Sequence, residues 1–311
     1  MQSPRHRAHL KASAAQTIEE NNMTALYIIL AAALATVFLW LFLIAPGSAG
    51  GMEKYKNVKY AHRGLHGTVG GDDPAAENSL TAFARAVDAG FGIELDVRLT
   101  KDGEVVVFHD ATLDRVTNGS GKVIDHTLAE LRALSLSGTA DTVPTFSEVL
   151  ALVDGKVPLL VELKEEGSDH SIGEACAKLL RDYKGDYIVE SFSPLAFGKV
   201  REIIPGAICG FLSDKHTARE NSRTFKHFLA QHLIFNVISR PAFIAMNHKR
   251  ARMFPLPVMR TLFSTPTIAW TVRSAEEEAQ AYKNGFDGVI FEGYMPTSTV
   301  HTVGEGKAED K

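Results

Sequence analysis

The sequence predicts a closed (β/α)8 barrel, the TIM-barrel fold, preceded by one membrane-spanning helix. Two observations predict this fold class. Eight short apolar runs alternate with helical stretches between residues 55 and 297, as parallel βα units require. An apolar run without charged residues, at positions 25–45, precedes them. At about 1.5 Å per residue it is long enough to cross the roughly 30 Å hydrocarbon core of a bilayer.

The apolar run at 25–45 predicts a single-pass membrane anchor. A polar segment, residues 1–24, precedes it, and a linker, residues 46–54, leads to the barrel domain at 55–297. A cleavable signal peptide is the alternative, because small residues follow at 46–50. The long polar lead and the length of the run favour an uncleaved anchor. Basic residues flank both ends almost evenly and slightly favour a cytoplasmic catalytic domain.

Eight apolar runs are the predicted barrel strands, and they lie at residues 58–60, 92–97, 159–163, 187–191, 207–212, 233–238, 267–272 and 288–291. Helices are predicted between them at 80–89, 172–183, 195–203 and 275–284. An open doubly wound sheet is the alternative architecture, but no glycine-rich fingerprint follows the first run. Residues 298–311 form a polar tail.

Composition and motifs exclude several function classes. The net charge of −4 gives no electrostatic case for nucleic acid. The two cysteines, Cys176 and Cys209, lie outside any zinc-binding pattern. The sequence contains no P-loop, no serine nucleophile elbow and no HExxH motif.

Two carboxylates share one face of the second run. Glu94 and Asp96 are two residues apart, and such a pair is costly to bury without a cation or a basic partner. Oxygen ligands favour Mg²⁺ or Ca²⁺, whereas a surface strand paired with Arg or Lys is the alternative. A two-residue turn at Asp102-Gly103 predicts a hairpin that places His109 opposite Asp96. One residue of slip would turn His109 to the other face.

Further polar residues end other predicted strands. His62 and Arg63 follow the first run, and Glu162 and Lys164 end the run at 159–163. Residues just past strand ends line the active face of a barrel. Arg63 offers a planar fork for a phosphate, Lys164 offers a point charge, and histidines exchange protons near neutral pH. This set predicts attack on an anionic phosphodiester.

The sequence resembles the glycerophosphodiester phosphodiesterase family. The matching blocks lie at residues 61–64, 77–79, 94–97, 100–103, 106–110, 113–117 and 161–164. Weaker matches extend the resemblance to residue 296. It implies a TIM barrel that hydrolyses glycerophosphodiesters to glycerol 3-phosphate and an alcohol.

The resemblance also implies roles for individual residues. It implies His62 and His109 as the acid–base pair, one divalent cation on Glu94, Asp96 and Glu162, and substrate binding by Arg63, Glu77, Lys164 and Trp270. Trp270 would form an apolar wall for the glycerol backbone. The alternatives are a helix-start charge for Glu77, an ordinary salt bridge for Lys164 and a core position for Trp270. After Ile290 this chain has Phe291-Glu292 where the family often has Thr-Asp. His66 is interpreted as a loop residue.

Other functions remain open at this point. The same residues would suit a membrane-associated lysophospholipase D acting on lysophospholipids, since the difference lies in an apolar groove beside the site. A non-catalytic membrane protein that binds phosphodiesters is another alternative, and a lyase that stops at a cyclic phosphate is a third. The sequence indicates no organic cofactor and no protein partner.

Overall fold

The computed structural model describes residues 4–48, 50–166, 170–214, 228–230 and 232–298. In the N-terminal unit, which ends at residue 44, the described residues form one long helix. This helix, α1, runs from Pro4 to Ile44, so it begins well before the predicted span. The segment Gln16–Ile44 of α1 is long and apolar enough to cross a membrane. Signal sequences share this property. The anchor therefore stays a prediction.

The second unit, residues 45–311, contains the barrel. Among the described residues, eight parallel strands close into it: β1 Lys59–His62, β2 Gly92–Leu99, β4 Leu159–Leu163, β5 Tyr187–Ser191, β6 Cys209–Ser213, β7 Phe243–Asn247, β8 Thr267–Val272 and β9 Gly288–Phe291. β1 pairs with both β2 and β9, which closes the cylinder. A short strand, β3 (Val105–Val107), lies antiparallel to the end of β2. The predicted (β/α)8 barrel is confirmed.

Helices connect the strands: α2 Leu80–Asp88, α3 Leu128–Arg132, α4 Phe146–Val153, α5 Ser171–Asp182, α6 Phe197–Ile203, α7 Asn236–Ser239, α8 Leu256–Phe263 and α9 Ala275–Lys283. Ser79 caps α2, because its Oγ accepts a hydrogen bond from the Ala82 N–H at 3.1 Å. Gly90, at φ +73°, ends the turn that follows α2. The helix α3 is short and begins with a capping box between Thr127 and Glu130. The predicted tail lies outside the described residues from position 299 onward.

The barrel interior is apolar below its polar rim. Tyr60, Leu160, Ile188 and Phe243 are fully buried there, and the 3₁₀ turn Met52–Tyr55 packs against them. Gly210 makes room for Phe243, since a Cβ at position 210 would lie 2.2 Å from the ring. A second apolar cluster fills the space between the strands and helices α2, α4, α5 and α6. The polar residues at the strand ends are therefore supported by a closely packed apolar interior.

One predicted strand is wrong. The run at 233–238 forms a helical turn that ends in α7, and the strand is β7, which was not predicted. Leu233, Asn236 and Ser239 are buried at intervals of three residues, whereas Ile238 is exposed. A short apolar run cannot be assigned to strand or helix from its composition alone.

The hairpin of β2 and β3 forms, but its register differs from the prediction by one residue. Val97 pairs with Val107, and Leu99 pairs with Val105. Gly103 takes φ +83° in a loop closed by the Thr100 N–H and the Glu104 carbonyl at 3.0 Å. A longer loop with a left-handed glycine adds a bulge that the two-residue turn lacks. Asp96 consequently lies opposite Phe108, and the predicted pairing of Asp96 with His109 is wrong.

Candidate active site

The carboxyl ends of the strands bring the predicted site residues together. In the parallel register, His62 lies beside Glu94, and Asp96 lies beside Glu162. A cavity of about 310 Å³ opens at this end of the barrel. Seven of the nine predicted residues line it, namely His62, Arg63, Glu94, His109, Glu162, Lys164 and Trp270. The remaining two, Asp96 and Glu77, contact residues of this lining.

Three buried carboxylates form a compact cluster. Glu94, Asp96 and Glu162 can each present an oxygen within 4.8 Å of the other two. Burial, followed by the charge of Asp96, raises the pKa of Glu94 well above its usual range. Burial also raises the pKa of Glu162. Three oxygen donors that repel one another in a buried site fit a hard divalent cation.

Two basic side chains lie against this carboxylate cluster. The Lys164 ammonium is 2.6 Å from Glu162 Oε1 and 3.0 Å from Asp96 Oδ1. The Arg63 backbone N–H donates to Glu94 Oε2 at 3.0 Å, and Arg63 Nη1 donates to Glu77 Oε1 at 2.7 Å. Although burial opposes it, Lys164 holds the pKa of Asp96 far below its usual range. Because Arg63 also pairs with Glu77, these two cations do not balance the cluster's charge.

Each predicted catalytic histidine has a carboxylate beside its Nδ1 atom. His62 Nδ1 lies 3.0 Å from Glu292 Oε2, and His109 Nδ1 lies 2.6 Å from Asp110 Oδ1. The side chain of His62 is 17% exposed and that of His109 is 31% exposed. Burial lowers the pKa of both rings, which favours neutral imidazoles at neutral pH. The hydrogen bond with His62 lowers the pKa of Glu292 to about 2.

A hydrogen-bonded network behind the site includes residues that the sequence did not single out. Asn78 Nδ2 donates to Asp96 Oδ2 at 2.8 Å. Arg115 donates to both oxygens of Glu77 and to Asp110 Oδ2. Glu77 therefore lies between Arg63 and Arg115 within the site. Asp110 and Arg115 both belong to the blocks that carry the family resemblance, which was the available signal.

The later strands contribute two further carboxylates. Glu190, the second-to-last residue of β5, lies beside Glu162 in the register, is 1% exposed and lines the cavity. Glu292 follows β9 and contacts His62, so the departure from the family pattern at this position preserves a polar contact. His66 lies 3.9 Å from Glu292. The position of each carboxylate at a strand end was the signal that could have identified it.

The later strands also bring apolar side chains to the cavity. Phe192, Leu212, Trp270 and Ile290 line it. The rings of Phe192 and Trp270 meet edge to face, with centroids 5.9 Å apart. Trp270 also packs against the interior core, so it combines the wall and core positions considered from the sequence.

Comparisons with known proteins agree with this geometry. The model of the glycerophosphoryl diester phosphodiesterase family matches residues 62–293. A glycerophosphodiester phosphodiesterase of Caldanaerobacter subterraneus subsp. tengcongensis is 31% identical over 269 residues, which cover 81% of this chain and 99% of that relative.

Solved structures share the fold. An Oleispira antarctica phosphodiesterase in complex with the product sn-glycerol-3-phosphate has a TM-score of 0.61 and 24% identity, covering 76% of this chain and 93% of that one. The glycerophosphodiester phosphodiesterase of Thermotoga maritima has a TM-score of 0.58 and 27% identity, with coverage of 76% and 94%.

Proposed function

The chain belongs to the glycerophosphoryl diester phosphodiesterase family of phosphoric diester hydrolases, and we propose that it hydrolyses glycerophosphodiesters to glycerol 3-phosphate and an alcohol. One observation carries this proposal. Two carboxylate-supported histidines, His62 and His109, line the same cavity as buried carboxylates and two cations. Such a site can bind an anionic diester and move protons to and from its oxygens.

The carboxylates Glu94, Asp96 and Glu162 would hold the cation, and Mg²⁺ or Ca²⁺ suits their oxygen donors. When bound, such an ion would neutralise charge that develops on the phosphoryl oxygens. The Lys164 ammonium already neutralises part of the cluster through Glu162 and Asp96. This arrangement explains why acidic residues can line the binding site of an anionic substrate.

Arg63 would bind the phosphate from the wall of the cavity. Glu77 accepts a hydrogen bond from its Nη1, and Arg115 holds Glu77 in place in turn. The guanidinium is therefore fixed before substrate arrives, which reduces the entropy lost on binding. Lys164 adds a second positive charge near the phosphate.

The histidines would exchange protons with the substrate. One takes a proton from the attacking hydroxyl group, which belongs to water or to the substrate's own glycerol. In the second case a cyclic phosphate forms as the alcohol leaves, and water then opens it to glycerol 3-phosphate. The other donates a proton to the leaving alkoxide. Glu292 and Asp110 act as positioning residues, since a carboxylate at Nδ1 favours a proton there and leaves Nε2 for the reaction.

The experiment that tests this function is a cation titration of turnover. The full chain, purified in detergent and stripped of metal, is given glycerophosphocholine and increasing Mg²⁺ or Ca²⁺. We expect turnover only with cation. The Glu162→Gln variant should lose it by about 100-fold or more, as loss of a transition-state charge contact does.

The matched control is Glu202→Gln, the same change on an exposed residue of α6 that pairs with Lys199. It should behave like the wild type. Full activity without cation would overturn the metal dependence, and no turnover under any condition would overturn the proposed function.

A lysophospholipase D activity is a second candidate, because Phe192, Leu212, Trp270 and Ile290 contribute apolar surface to the cavity.

We also propose that residues 25–45 anchor the chain in a membrane with the catalytic unit in the cytoplasm, on the basis of the apolar helix and the flanking charges. Protease added to intact spheroplasts tests this orientation, and we expect the catalytic unit to stay uncut until the membrane is opened. Cleavage of the catalytic unit in intact spheroplasts would contradict it.

A further inference from the structure

The two proposed catalytic histidines differ in how their backbones are held. His62 is the last residue of β1 and pairs with Glu94 of β2 in the parallel ladder. The strand β3 ends at Val107, two residues before His109. The last backbone hydrogen bond that joins this segment to β2 is donated by the Phe108 N–H. The sheet therefore fixes the backbone of His62 but ends before His109.

An arginine of β2 holds the backbone of His109 instead. The Nε and Nη2 atoms of Arg98 both donate to the His109 carbonyl oxygen, at 2.9 and 2.8 Å. A planar guanidinium presents these two N–H groups along one edge, and a carbonyl oxygen has two lone pairs that can accept them. Within the described residues, the main chain of His109 forms no other hydrogen bond.

Arg98 is itself fixed between two strands of the site. It lies two residues after Asp96 and four after Glu94 on β2, so all three side chains share one face of that strand. Its side chain is buried, and its Nη1 atom pairs with Glu166, which follows β4. A buried guanidinium needs such a carboxylate to balance its charge. Arg98 thus joins the segment that carries His109 to the two strands that carry the cation cluster.

Resting on the proposed function, we propose that Arg98 is a positioning residue that places the His109 ring for proton transfer. Asp110 already contacts Nδ1 of this ring, so the position of Nε2 depends on where the main chain holds the residue. Arg98 is not among the described residues that line the cavity, so it acts through His109 rather than on the substrate. A reacting group that is misplaced by about 1 Å can cost about 100-fold in rate.

The test measures kcat and KM of the full chain in detergent, with glycerophosphocholine as substrate and Mg²⁺ or Ca²⁺ present. We expect Arg98→Met to lower kcat about 10- to 100-fold and to leave KM nearly unchanged, because the phosphate contacts remain. Arg98→Lys keeps the charge but loses the edge with two donors, so it should lower kcat less. This second variant serves if the first does not fold. Wild-type kcat in either folded variant would overturn the role.

The matched control is Arg201→Met. Arg201 is also partly buried, and it likewise donates to backbone carbonyls, those of Ser239 and Arg240 just before β7. These contacts lie at the amino end of that strand, whereas the active site lies at the carboxyl ends. We expect Arg201→Met to lower the melting temperature without lowering kcat. An equal loss of kcat in Arg201→Met and Arg98→Met would indicate general destabilisation and would overturn the positioning role.

A double mutant tests whether Arg98 acts through His109. When Arg98→Met is added to His109→Ala, we expect no further loss of kcat, because the ring that Arg98 positions is already absent. A second loss as large as that in the wild-type background would overturn the proposal. Failure of the wild type to hydrolyse any glycerophosphodiester would instead be a failure of the proposed function. An active wild type with equally active Arg98 variants would contradict only the positioning role.

Discussion

The first and second halves of the barrel contribute different groups to the site. β1, β2 and β4, with the hairpin strand β3, position the cation cluster, Arg63, Lys164 and both histidines. β5 to β9 contribute apolar residues of the cavity lining, together with Glu190 and Glu292. The first half therefore holds the groups proposed for chemistry. The second half holds most of the apolar lining and Glu292, which is proposed to orient His62.

The largest effect is expected from removing a histidine of the first half. His109→Ala and His62→Ala should each lower kcat by about 10²- to 10⁴-fold, which is the usual contribution of general acid–base catalysis. The melting temperature should stay within a few degrees of the wild type, because both rings border the cavity. Circular dichroism measures the melting temperature, and an assay of the phosphorus product measures kcat. Near-normal kcat in either variant would remove that histidine from the mechanism.

The next effect concerns the cation cluster. A saturating cation should raise the melting temperature of the wild type by several degrees, since a ligand at about 100 times its Kd stabilises by about 2.7 kcal/mol. Asp96→Asn should abolish most of this rise, whereas Glu202→Gln should preserve it. Differential scanning calorimetry with and without chelator gives the comparison. An undiminished rise in Asp96→Asn would place the ion elsewhere.

A smaller effect should separate the two positioning carboxylates. Glu292→Gln is expected to lower kcat about 10- to 100-fold, as loss of a carboxylate that orients a histidine does. Asp110→Asn should cost less, because His109 is more exposed and water can replace the lost contact. Both variants should leave KM nearly unchanged. A larger loss of kcat in Asp110→Asn than in Glu292→Gln would contradict this expected order.

The smallest effect on activity is expected from the N-cap of helix α2, which packs against the first half of the barrel. Ser79→Ala removes the N-cap of α2 and should cost about 1 kcal/mol of unfolding free energy. Turnover should stay close to the wild type, because the neighbouring Asn78 keeps its own bond to Asp96. Urea unfolding measures the cost. A large loss of activity at unchanged stability would show that the cap also positions the site.

The two halves also differ in how far the sequence predicted them. The first half could be predicted, because its polar residues lie within short spaced blocks around Glu94 and Asp96. His109 lines the cavity even though the predicted hairpin register was wrong, since Gly103 adds a residue to the loop. Short-range patterns predict such neighbours well, but they do not fix a register to one residue.

The second half depends on contacts across long sequence separations. The bond between His62 and Glu292 joins residues 230 positions apart and forms only when the barrel closes. Glu190 meets Glu162 only through strand pairing. The error at 233–238 also lies in this half, where helix and strand patterns were both acceptable. Closure of the barrel, which no local pattern encodes, decides these contacts.

The central claim is that the two histidines and the cation cluster together hydrolyse glycerophosphodiesters. Phosphorus NMR of glycerophosphocholine incubated with the full chain tests it most directly, with and without a chelator. We predict glycerol 3-phosphate as the phosphorus product, formed only when a divalent cation is present. Phosphocholine as the product, or an unchanged diester in the presence of cation, would contradict the account.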